Sequence, residues 1–319
     1  MPVLKFEKWF TDVLTPERDY LIIFHTLLEL IGIRIFFVEI NFARFGEDHV
    51  FHLNRKQKLI RRSGHSVSTV RGDLKYEDNQ AKIRLSHKEM EIELNMKPVS
   101  LTGIHKKGMK ISNRTGGTLE WKIIYLKTKV SGSIRIAREG KESLEEKING
   151  TGYSDYLHSN MSPFRVPVHQ LYWGRLHSGD LDLSYSFALD VNENVSGALM
   201  WVHYGKQALW FENISVSPEG WKEFNPPGIS CPVSYRMNAV SRSMKLSLVV
   251  MHLKPAIVSE FTENPKELGP FRQALLRHLI RGPKGIKFYS KARLEMEIEG
   301  RTIEMDEIFF IDEYVRFRK

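Results

Sequence analysis

Apolar and polar residues alternate in short stretches along much of the chain. In KEMEIELNMK, residues 88–97, methionine, isoleucine and leucine occupy every second position between polar side chains. The same alternation returns in MKLSLVVMHL, residues 244–253. A period of two places alternate side chains on opposite faces of a β-strand, so one face of the sheet is buried and the other is wet. The pattern predicts a protein built from many strands, as in β-sandwiches and β-barrels.

Turn signals between these stretches predict how the strands connect. A hairpin is expected to turn near His87. Residues 121–137 are expected to continue the sheet, with a break at Ser131–Gly132. Residues 292–308 are expected to form another hairpin, with its turn at Gly300–Arg301. These connections indicate an antiparallel meander.

The most apolar stretch, residues 20–42, is interpreted as two buried strands rather than a membrane helix. It contains Glu29, Arg34 and Glu39, and Gly32 stands near its middle. Each charge would cost a membrane helix several kcal/mol at the bilayer centre, about 2.5–3.5 on insertion scales. Two strands joined near Gly32 explain the pattern without that cost.

One helix is expected, over residues 269–282. Its leucines form an apolar stripe, Pro270 suits a first helical turn, and Gly282 suits a helix end. We expect this helix to pack on the mouth of a barrel. A basic amphipathic helix that rests on a membrane surface is the alternative.

The chain length and a change in the sequence pattern predict two domains. The chain has 319 residues, which is the usual length of two domains. The alternation gives way near residues 150–170 to a stretch rich in aromatic and ionisable groups. We therefore predict an N-terminal β domain over residues 1–162 and a C-terminal β domain over residues 163–319.

The basic charge balance leaves the partner open. The net charge is +9, which favours contact with nucleic acid or with an anionic membrane surface. No nucleic-acid-binding motif accompanies the basic runs at residues 54–62 and 314–319, so nucleic-acid binding is not favoured. Peripheral contact with a membrane stays an alternative.

Metal and cofactor chemistry are not expected. Cys231 is the single cysteine, so the chain has no internal disulfide and no cysteine-based metal site. The histidines are scattered without zinc spacing, and neither a phosphate-binding loop nor a nucleophile elbow occurs. We expect no metal and no cofactor. The absence of a signal-peptide pattern and the single cysteine favour a cytoplasmic location.

The segment GTGYSDYLHSNMSPFRVPVHQLYWGRL, residues 150–176, gathers most of the candidate chemistry. Glycines open it and prolines interrupt it, so we expect an irregular connection between the two domains. Ligand sites are common at domain boundaries. The segment is therefore expected to line a cavity where the domains meet.

Two motifs in this segment resemble those of the AttH-like and carotenoid hydratase (hydroxyneurosporene synthase) family. The family pattern is G-x-G-Y-x-D-H, followed some twenty residues later by W-G-R. Here residues 150–155 read GTGYSD and residues 173–175 read WGR. The strand VSGSIRI, residues 130–136, and the hairpin in residues 17–45 are also similar to family elements. The resemblance spans most of residues 15–190.

The resemblance implies a fold and a substrate class. It implies an all-β protein of two lipocalin-like antiparallel β-barrels packed side by side, with few helices. Carotenoid hydratases of this family add water to a terminal alkene of an acyclic carotenoid. Fungal Diels–Alderases of similar two-barrel architecture fold a polyene for cycloaddition. A large apolar isoprenoid, carotenoid or polyene is therefore the expected partner.

This chain departs from the family at the aspartate. The family carries histidines on both sides of it, whereas Ser154 and Tyr156 flank Asp155 here. The histidine–tryptophan pair of the hydratases is missing, and His158 is the candidate to replace it. The change favours a different reaction or a protein that binds without catalysis.

Hydration of an unactivated alkene requires a strong proton donor, aromatic faces that stabilise a carbocation, and a positioned water. A carboxyl in an apolar cavity has a raised pKa and can donate a proton. Asp155 is the first candidate, with Tyr153 and His158 as further catalytic candidates. The candidate substrate-binding residues, whose aromatic members supply cation–π stabilisation, are Tyr156, Tyr172, Trp173, Arg175 and Tyr185. A cycloaddition needs shape and orientation instead of an acid.

Structural roles compete with each assignment. Asp155 can cap a turn or form a buried ion pair with Arg175, and Tyr172 and Trp173 can be core aromatics. The leading hypothesis is a cofactor-independent hydratase (a hydro-lyase) or cyclase that binds an isoprenoid or polyene between or within β-barrels. The alternative is a non-catalytic carrier of a hydrophobic ligand.

Overall fold

The fold was analysed in a computed structural model. It describes residues 4–30, 33–47, 50–77, 79–99, 108–114, 116–138, 141–161, 166–224, 228–241, 244–260 and 283–317. Every helix or strand assigned within these residues is a β-strand, which confirms the all-β prediction. The helix expected over residues 269–282 lies outside the described residues.

Twelve strands form sheet A, which curves into a nearly closed antiparallel barrel. Along the sheet the order is β4-β3-β2-β1-β12-β11-β9-β8-β7-β6-β5, and β10 pairs with β11. The strands are β1 (Leu4–Leu14), β2 (Tyr20–Leu30), β3 (Ile33–Ala43), β4 (Val50–Gln57), β5 (Leu59–Ser63), β6 (Ser66–Thr69), β7 (Gly72–Glu77), β8 (Gln80–His87), β9 (Met90–Pro98), β10 (Met109–Ser112), β11 (Thr118–Arg138) and β12 (Lys141–Ser159).

Nine strands form sheet B, which is also antiparallel. Its order is β16-β15-β14-β13-β21-β20-β19-β18-β17. The strands are β13 (Gln170–Ser178), β14 (Leu181–Leu189), β15 (Val195–Tyr204), β16 (Gln207–Phe211), β17 (Ile214–Phe224), β18 (Ile229–Ser241), β19 (Met244–Glu260), β20 (Lys284–Ile298) and β21 (Arg301–Arg316).

Both sheets bring their first strand beside their last. In sheet A, β1 pairs with β12, and in sheet B, β13 pairs with β21. The candidate segment 150–176 contributes to one strand of each pair, because it contains the end of β12 and most of β13. The same connectivity in two sheets fits a two-domain lipocalin-like fold.

The described residues fall into two compact units. Residues Glu120–Asn160 belong with the N-terminal strands, whereas Gly108–Leu119 belongs with the strands that follow Met161. The predicted boundary between residues 162 and 163 falls within 162–165, outside the described residues, and it stays a prediction.

The alternation of apolar and polar residues along the strands places the core side chains on one face of each sheet. In β9, Met90, Ile92, Leu94 and Met96 are all buried in the core of sheet A, and the residues between them are exposed or half-buried. The corresponding core of sheet B contains every second residue of the start of β19, beginning at Met244. The strand predictions made from these periods are confirmed.

Two predicted irregularities are wrong. The break expected at Ser131–Gly132 is absent, because β11 continues through it and Gly132 pairs with Leu94. The turn expected at Gly300–Arg301 lies at Glu299–Gly300. Gly132 serves a close approach instead, since a β-carbon there would lie 1.9 Å from the Glu93 carbonyl oxygen.

The candidate segment is more regular than expected. Residues 150–159 continue strand β12, and residues 170–176 belong to β13. Backbone pairing therefore overrides the glycine and proline signals in most of it. The two strands joined near Gly32 are confirmed as β2 and β3, and residues 31 and 32 lie outside the described residues. No helix within the described ranges has the length and apolar character needed to span a membrane.

Candidate functional site

Asp155 lies on strand β12, directly opposite Phe10 of β1. The neighbouring pair on the same face is Asp12 with Tyr153. Trp9, which pairs with Tyr156 on the other face, belongs to the apolar core of sheet A. Asp155 and Tyr153 therefore lie on the face of the sheet that is turned away from that core.

This face of the sheet is nevertheless buried. Asp155 is 5% exposed, and Asp12 and Tyr153 are fully buried. Burial raises the pKa of the Asp155 carboxyl from 3.8 to about 7, because the charged form loses its hydration. Hydrogen bonds from Trp121 and Tyr153 lower the pKa, the negative charge of Asp12 raises it, and the positive charge of Lys8 lowers it. Asp155 is a carboxyl that gains and loses its proton near neutral pH.

Aromatic side chains lie on the same face of the sheet as this carboxyl. The Trp121 indole Nε1 donates a hydrogen bond of 2.8 Å to Asp155 Oδ2. The Phe10 ring lies 6.0 Å from the Tyr153 ring and 5.3 Å from the Phe24 ring, measured between centroids. A protonatable group beside aromatic side chains can donate a proton, and the faces of such rings can stabilise the cation that results.

The neighbouring carboxyl, Asp12, is held differently. Its Oδ2 accepts a 2.9 Å hydrogen bond from the Tyr20 hydroxyl. The Lys8 ammonium lies 3.5 Å from the centroid of the Phe24 ring. The site thus combines two buried carboxyls with one nearby cation.

Two predicted residues on β12 lie on the opposite face from Asp155. Strand alternation places Tyr156 and His158 with the core-facing side chains, opposite Trp9 and Glu7. The Tyr156 hydroxyl donates a 2.9 Å hydrogen bond to Glu7. The structure therefore brings Tyr153 to Asp155 but does not bring His158 or Tyr156 to it.

The other predicted residues belong to sheet B. Tyr172 and Tyr185 lie in the apolar core of that sheet. Trp173 and Arg175 alternate with Tyr172 along β13, so they lie on the other face, where both are buried. The Lys287 ammonium lies 5.0 Å from the centroid of the Trp173 ring and forms an ion pair with Glu313. Their roles in substrate binding stay predictions.

A second polar cluster, of which only Tyr185 was among the predicted residues, lies within the core of sheet B. Asp312 is fully buried and accepts a 2.8 Å hydrogen bond from the Tyr235 hydroxyl and another from the Ser290 hydroxyl. His252 Nε2 lies 2.8 Å from the same Asp312 oxygen as Tyr235. The Tyr185 hydroxyl lies 2.5 Å from the Tyr235 hydroxyl.

The contacts of His252 indicate an ion pair. Its Nδ1 lies 2.8 Å from the Pro232 carbonyl oxygen, which can only accept a hydrogen bond, so Nδ1 carries a proton. Burial acts to lower the pKa of His252, but the charge and hydrogen bond of Asp312 outweigh it, and the pKa is raised. His252 as a cation and Asp312 as an anion satisfy each other's hydrogen bonds. This cluster joins five strands of sheet B.

Sequence reasoning had little chance of finding the second cluster. Tyr185, Tyr235, His252 and Asp312 are spread over most of the C-terminal half and form no local motif. Period-two alternation predicts all four as core positions. The one available signal was a polar residue at a position that the alternation marks as buried.

Together the fold and the first site define an all-β protein with two antiparallel sheets and a buried, aromatic-lined carboxyl. No family model and no curated protein matches the chain. Solved structures do match it over almost its whole length.

An AttH candidate from Nitrosomonas europaea is 12% identical, with a TM-score of 0.59, and the match covers 98% of this chain and 92% of that one. CghA is 10% identical, with a TM-score of 0.63 and coverage of 98% and 88%. Kievitone hydratase from Nectria haematococca is 10% identical, with a TM-score of 0.57 and coverage of 98% and 88%. These likenesses confirm the predicted resemblance at the level of the fold.

Proposed function

We propose that this protein is a cofactor-independent hydratase or cyclase that acts on a large apolar isoprenoid or polyene. Asp155 is its proton donor, and Tyr153 is the second residue at the reacting centre. The observation that carries the proposal is a buried carboxyl with a pKa of about 7 among aromatic rings. Burial keeps much of this carboxyl protonated at neutral pH, where an exposed aspartate is ionised.

The reaction starts with proton transfer from Asp155. The π electrons of an alkene form the new C–H bond, which leaves a tertiary carbocation on the substrate and a carboxylate on Asp155. The faces of Phe10, Phe24 and Trp121 stabilise the cation. The Asp155 anion and the cation form an ion pair, so no net charge is created in the buried site.

Two outcomes follow from the cation. In a hydratase, a water oxygen forms the C–O bond, and the proton that this water loses returns to the Asp155 carboxylate. In a cyclase, the π electrons of a second alkene form a C–C bond. The Asp155 carboxylate then accepts a proton from a carbon next to the final cation, and the C–H electrons form a new double bond. Both routes restore the protonated acid, so neither needs a cofactor.

The structural neighbours support a small-molecule partner. One of them is a hydratase of kievitone, and another, CghA, was also solved with Sch210972. At 10% identity these likenesses support the fold, and the chemistry of Asp155 supports the reaction. The proposal therefore depends on the carboxyl and not on the neighbours' substrates.

Turnover of a polyene panel tests the proposal. Purified protein is incubated in D2O with acyclic carotenoids and shorter isoprenoids, and products are identified by mass spectrometry. We expect a hydrated or cyclised product. Because the Asp155 carboxyl exchanges its proton for deuterium in D2O, the product should carry deuterium in the new C–D bond. The variant Asp155→Asn should lose at least a hundredfold in rate, the lower range of general acid catalysis.

The matched control is Asp19→Asn. Asp19 lies in the connection before β2 and accepts a 2.9 Å hydrogen bond from the backbone N–H of Phe45. It takes no part in the hydrogen bonds of Asp155 with Trp121 and Tyr153, so its variant should keep full turnover. Equal loss in both variants would contradict the role of Asp155. Ligand binding without product in the unmodified protein, retained in Asp155→Asn, would identify the non-catalytic carrier instead.

A further inference from the structure

A cavity of about 840 Å³ opens at the end of sheet A where β2 and β4 finish and β3 and β5 begin. Pockets for small molecules usually have volumes of about 300–1,000 Å³. Its lining divides into a charged part and an apolar part. The cationic side chains are Arg34, Lys56, Lys58, Arg61 and Arg62. The apolar side chains are Leu27, Phe36, Leu59 and Ile60.

The charged part is strongly positive. Five cationic side chains face two carboxylates, Glu7 and Glu29, an excess of three positive charges. Glu29 lies 3.1 Å from Arg34, and Glu7 lies 2.8 Å from Arg62. Both carboxylates are thus already compensated. Lys58 and Arg61 are exposed, so their charges are directed to solvent and to whatever enters the cavity.

The apolar part continues inward along one row of the sheet. The register places Glu7, Leu27, Phe36 and Gln57 side by side on strands β1 to β4. Leu27 and Phe36 belong to the core of sheet A. The cavity wall therefore leads from charged side chains at the rim to the apolar interior.

The next row inward is uncharged on β1 to β3, and on β4 it ends at Arg55, which forms an ion pair with Glu89. It contains Trp9 and His25, which pair across β1 and β2 and are almost fully buried. Burial lowers the pKa of His25 to about 4, so its ring is neutral at pH 7. The His25 ring lies 6.2 Å from the Phe36 ring, and the Arg62 guanidinium lies 5.9 Å from the Trp9 ring. On β1 to β3 the side chains thus change from charged to neutral and aromatic within two rows.

We propose that this cavity binds an anionic amphiphile, with its carboxylate or phosphate headgroup on the cationic rim and its apolar chain along Leu27 and Phe36. A neutral chain suits the uncharged side chains of the inner row on β1 to β3, and an anionic headgroup suits the excess of positive charge. Asp155 lies on the opposite face of the sheet, so this site is separate from the proposed reaction centre.

Isothermal titration calorimetry with four probes tests the site: farnesyl diphosphate, palmitate, farnesol and inorganic pyrophosphate. Farnesyl diphosphate, palmitate or both should bind, which supports the proposal and identifies the headgroup. Farnesol lacks the charge and pyrophosphate lacks the chain, so each should bind at least tenfold more weakly. Equal affinity of farnesol, or equal affinity of pyrophosphate, would overturn the proposal.

Charge reversal provides the control. The double variant Lys58→Glu, Arg61→Glu should weaken binding of the anionic probe at least tenfold. Lys97→Glu, Lys129→Glu makes the same change of net charge at two exposed lysines that pair across β9 and β11, outside the cavity, and should stay within twofold of the unmodified protein. Equal losses in both double variants would show bulk electrostatic attraction and contradict the site.

The same titration separates this proposal from the proposed enzyme. Asp155→Asn should bind the anionic probe as the unmodified protein does, whatever its turnover. Loss of probe binding in Asp155→Asn would overturn the separate site. If the protein fails to turn over polyenes but still binds the anionic probe, the proposed enzyme activity is contradicted and the binding site is supported.

Discussion

The indole of Trp121 donates its hydrogen to Oδ2 of Asp155 at 2.8 Å, joining β11 to β12 across the buried face of sheet A. A hydrogen bond donated to a carboxylate favours the charged form and lowers the pKa. Burial acts in the opposite direction and is the larger cause. The pKa of about 7 is therefore a balance in which Trp121 is the main group that opposes burial.

Removal of that hydrogen bond should raise the pKa of Asp155. Trp121→Phe keeps an aromatic ring but loses the donor, and a hydrogen bond worth about 0.5–1.5 kcal/mol corresponds to a rise of up to about one pKa unit. The titration of the Asp155 carboxyl by infrared spectroscopy measures the shift. Trp221→Phe, at a 48% exposed position in sheet B, is the control. A lower or unchanged pKa in Trp121→Phe would contradict the role of the indole.

The stability of the protein should fall with rising pH because of Asp155. The folded carboxyl holds its proton up to about pH 7, whereas in the unfolded chain it releases the proton near 3.8. Between these values unfolding releases a proton, so the free energy of unfolding decreases as pH rises, by up to roughly 4 kcal/mol.

Asp155→Asn removes this dependence. Other groups also titrate, so the quantity to measure is the difference in unfolding free energy between Asp155→Asn and the unmodified protein, from urea denaturation at pH 4 to 8. The variant should gain relative stability across pH 4–7, and the difference should level off above pH 7. A constant difference over this range would mean that Asp155 has an ordinary pKa in the folded state.

The ion pair of Asp312 and His252 should be essential for the stability of sheet B. Asp312→Asn leaves a buried histidine without its counter-charge, which costs about 3–5 kcal/mol of unfolding free energy. Glu297→Gln breaks an exposed pair with Lys245 and should cost no more than about 1 kcal/mol. Equal costs in urea denaturation would contradict a buried ion pair.

His252 gives this pair its own pH dependence. Because its pKa is raised in the folded state, the stabilisation is complete below its ordinary value of 6.5 and is lost as pH rises through the folded value. This window lies above that of Asp155. His252→Gln should therefore flatten the stability profile above pH 6.5 and leave the slope below it unchanged, as measured by thermal unfolding at stepwise pH.

Gly174 should not tolerate a side chain, because it faces Tyr185. A β-carbon at this position would lie 2.3 Å from the Tyr185 hydroxyl oxygen and 2.5 Å from the ring carbon that bears it. Gly174→Ala should cost about 1–3 kcal/mol by overpacking. In a double-mutant cycle with Tyr185→Ala, most of that cost should disappear. An additive cycle would show that the two residues do not compete for the same space.

The strands were predictable because burial of one face of a sheet requires apolar residues at every second position of its strands. Alternation along β9 and β19 follows from one buried face, and the structure confirms it. The predicted break at Ser131–Gly132 was wrong because a glycine in a strand can also allow a neighbouring backbone to approach closely. In the sequence, such a glycine looks the same as a glycine in a turn. Local signals describe a residue's own backbone and not the strand that packs against it.

The candidate site was only partly accessible to sequence reasoning. Asp155 and Tyr153 could be proposed because they share a motif, and in the structure the strand period places them on one face. The same period places His158 on the other face, which the motif spacing alone did not show. Trp121 comes from another strand, so its contact with Asp155 depends on long-range pairing that a single sequence does not reveal.

The protonation state of Asp155 at neutral pH tests the central claim most directly, and it requires no substrate. The carbonyl stretch of a protonated carboxyl can be followed by infrared difference spectroscopy between the unmodified protein and Asp155→Asn, from pH 4 to 9. We expect a single protonated carboxyl that is lost in the variant and that titrates with a midpoint near pH 7. A midpoint near pH 4 would mean that Asp155 is an anion at neutral pH, and it would contradict its role as a proton donor.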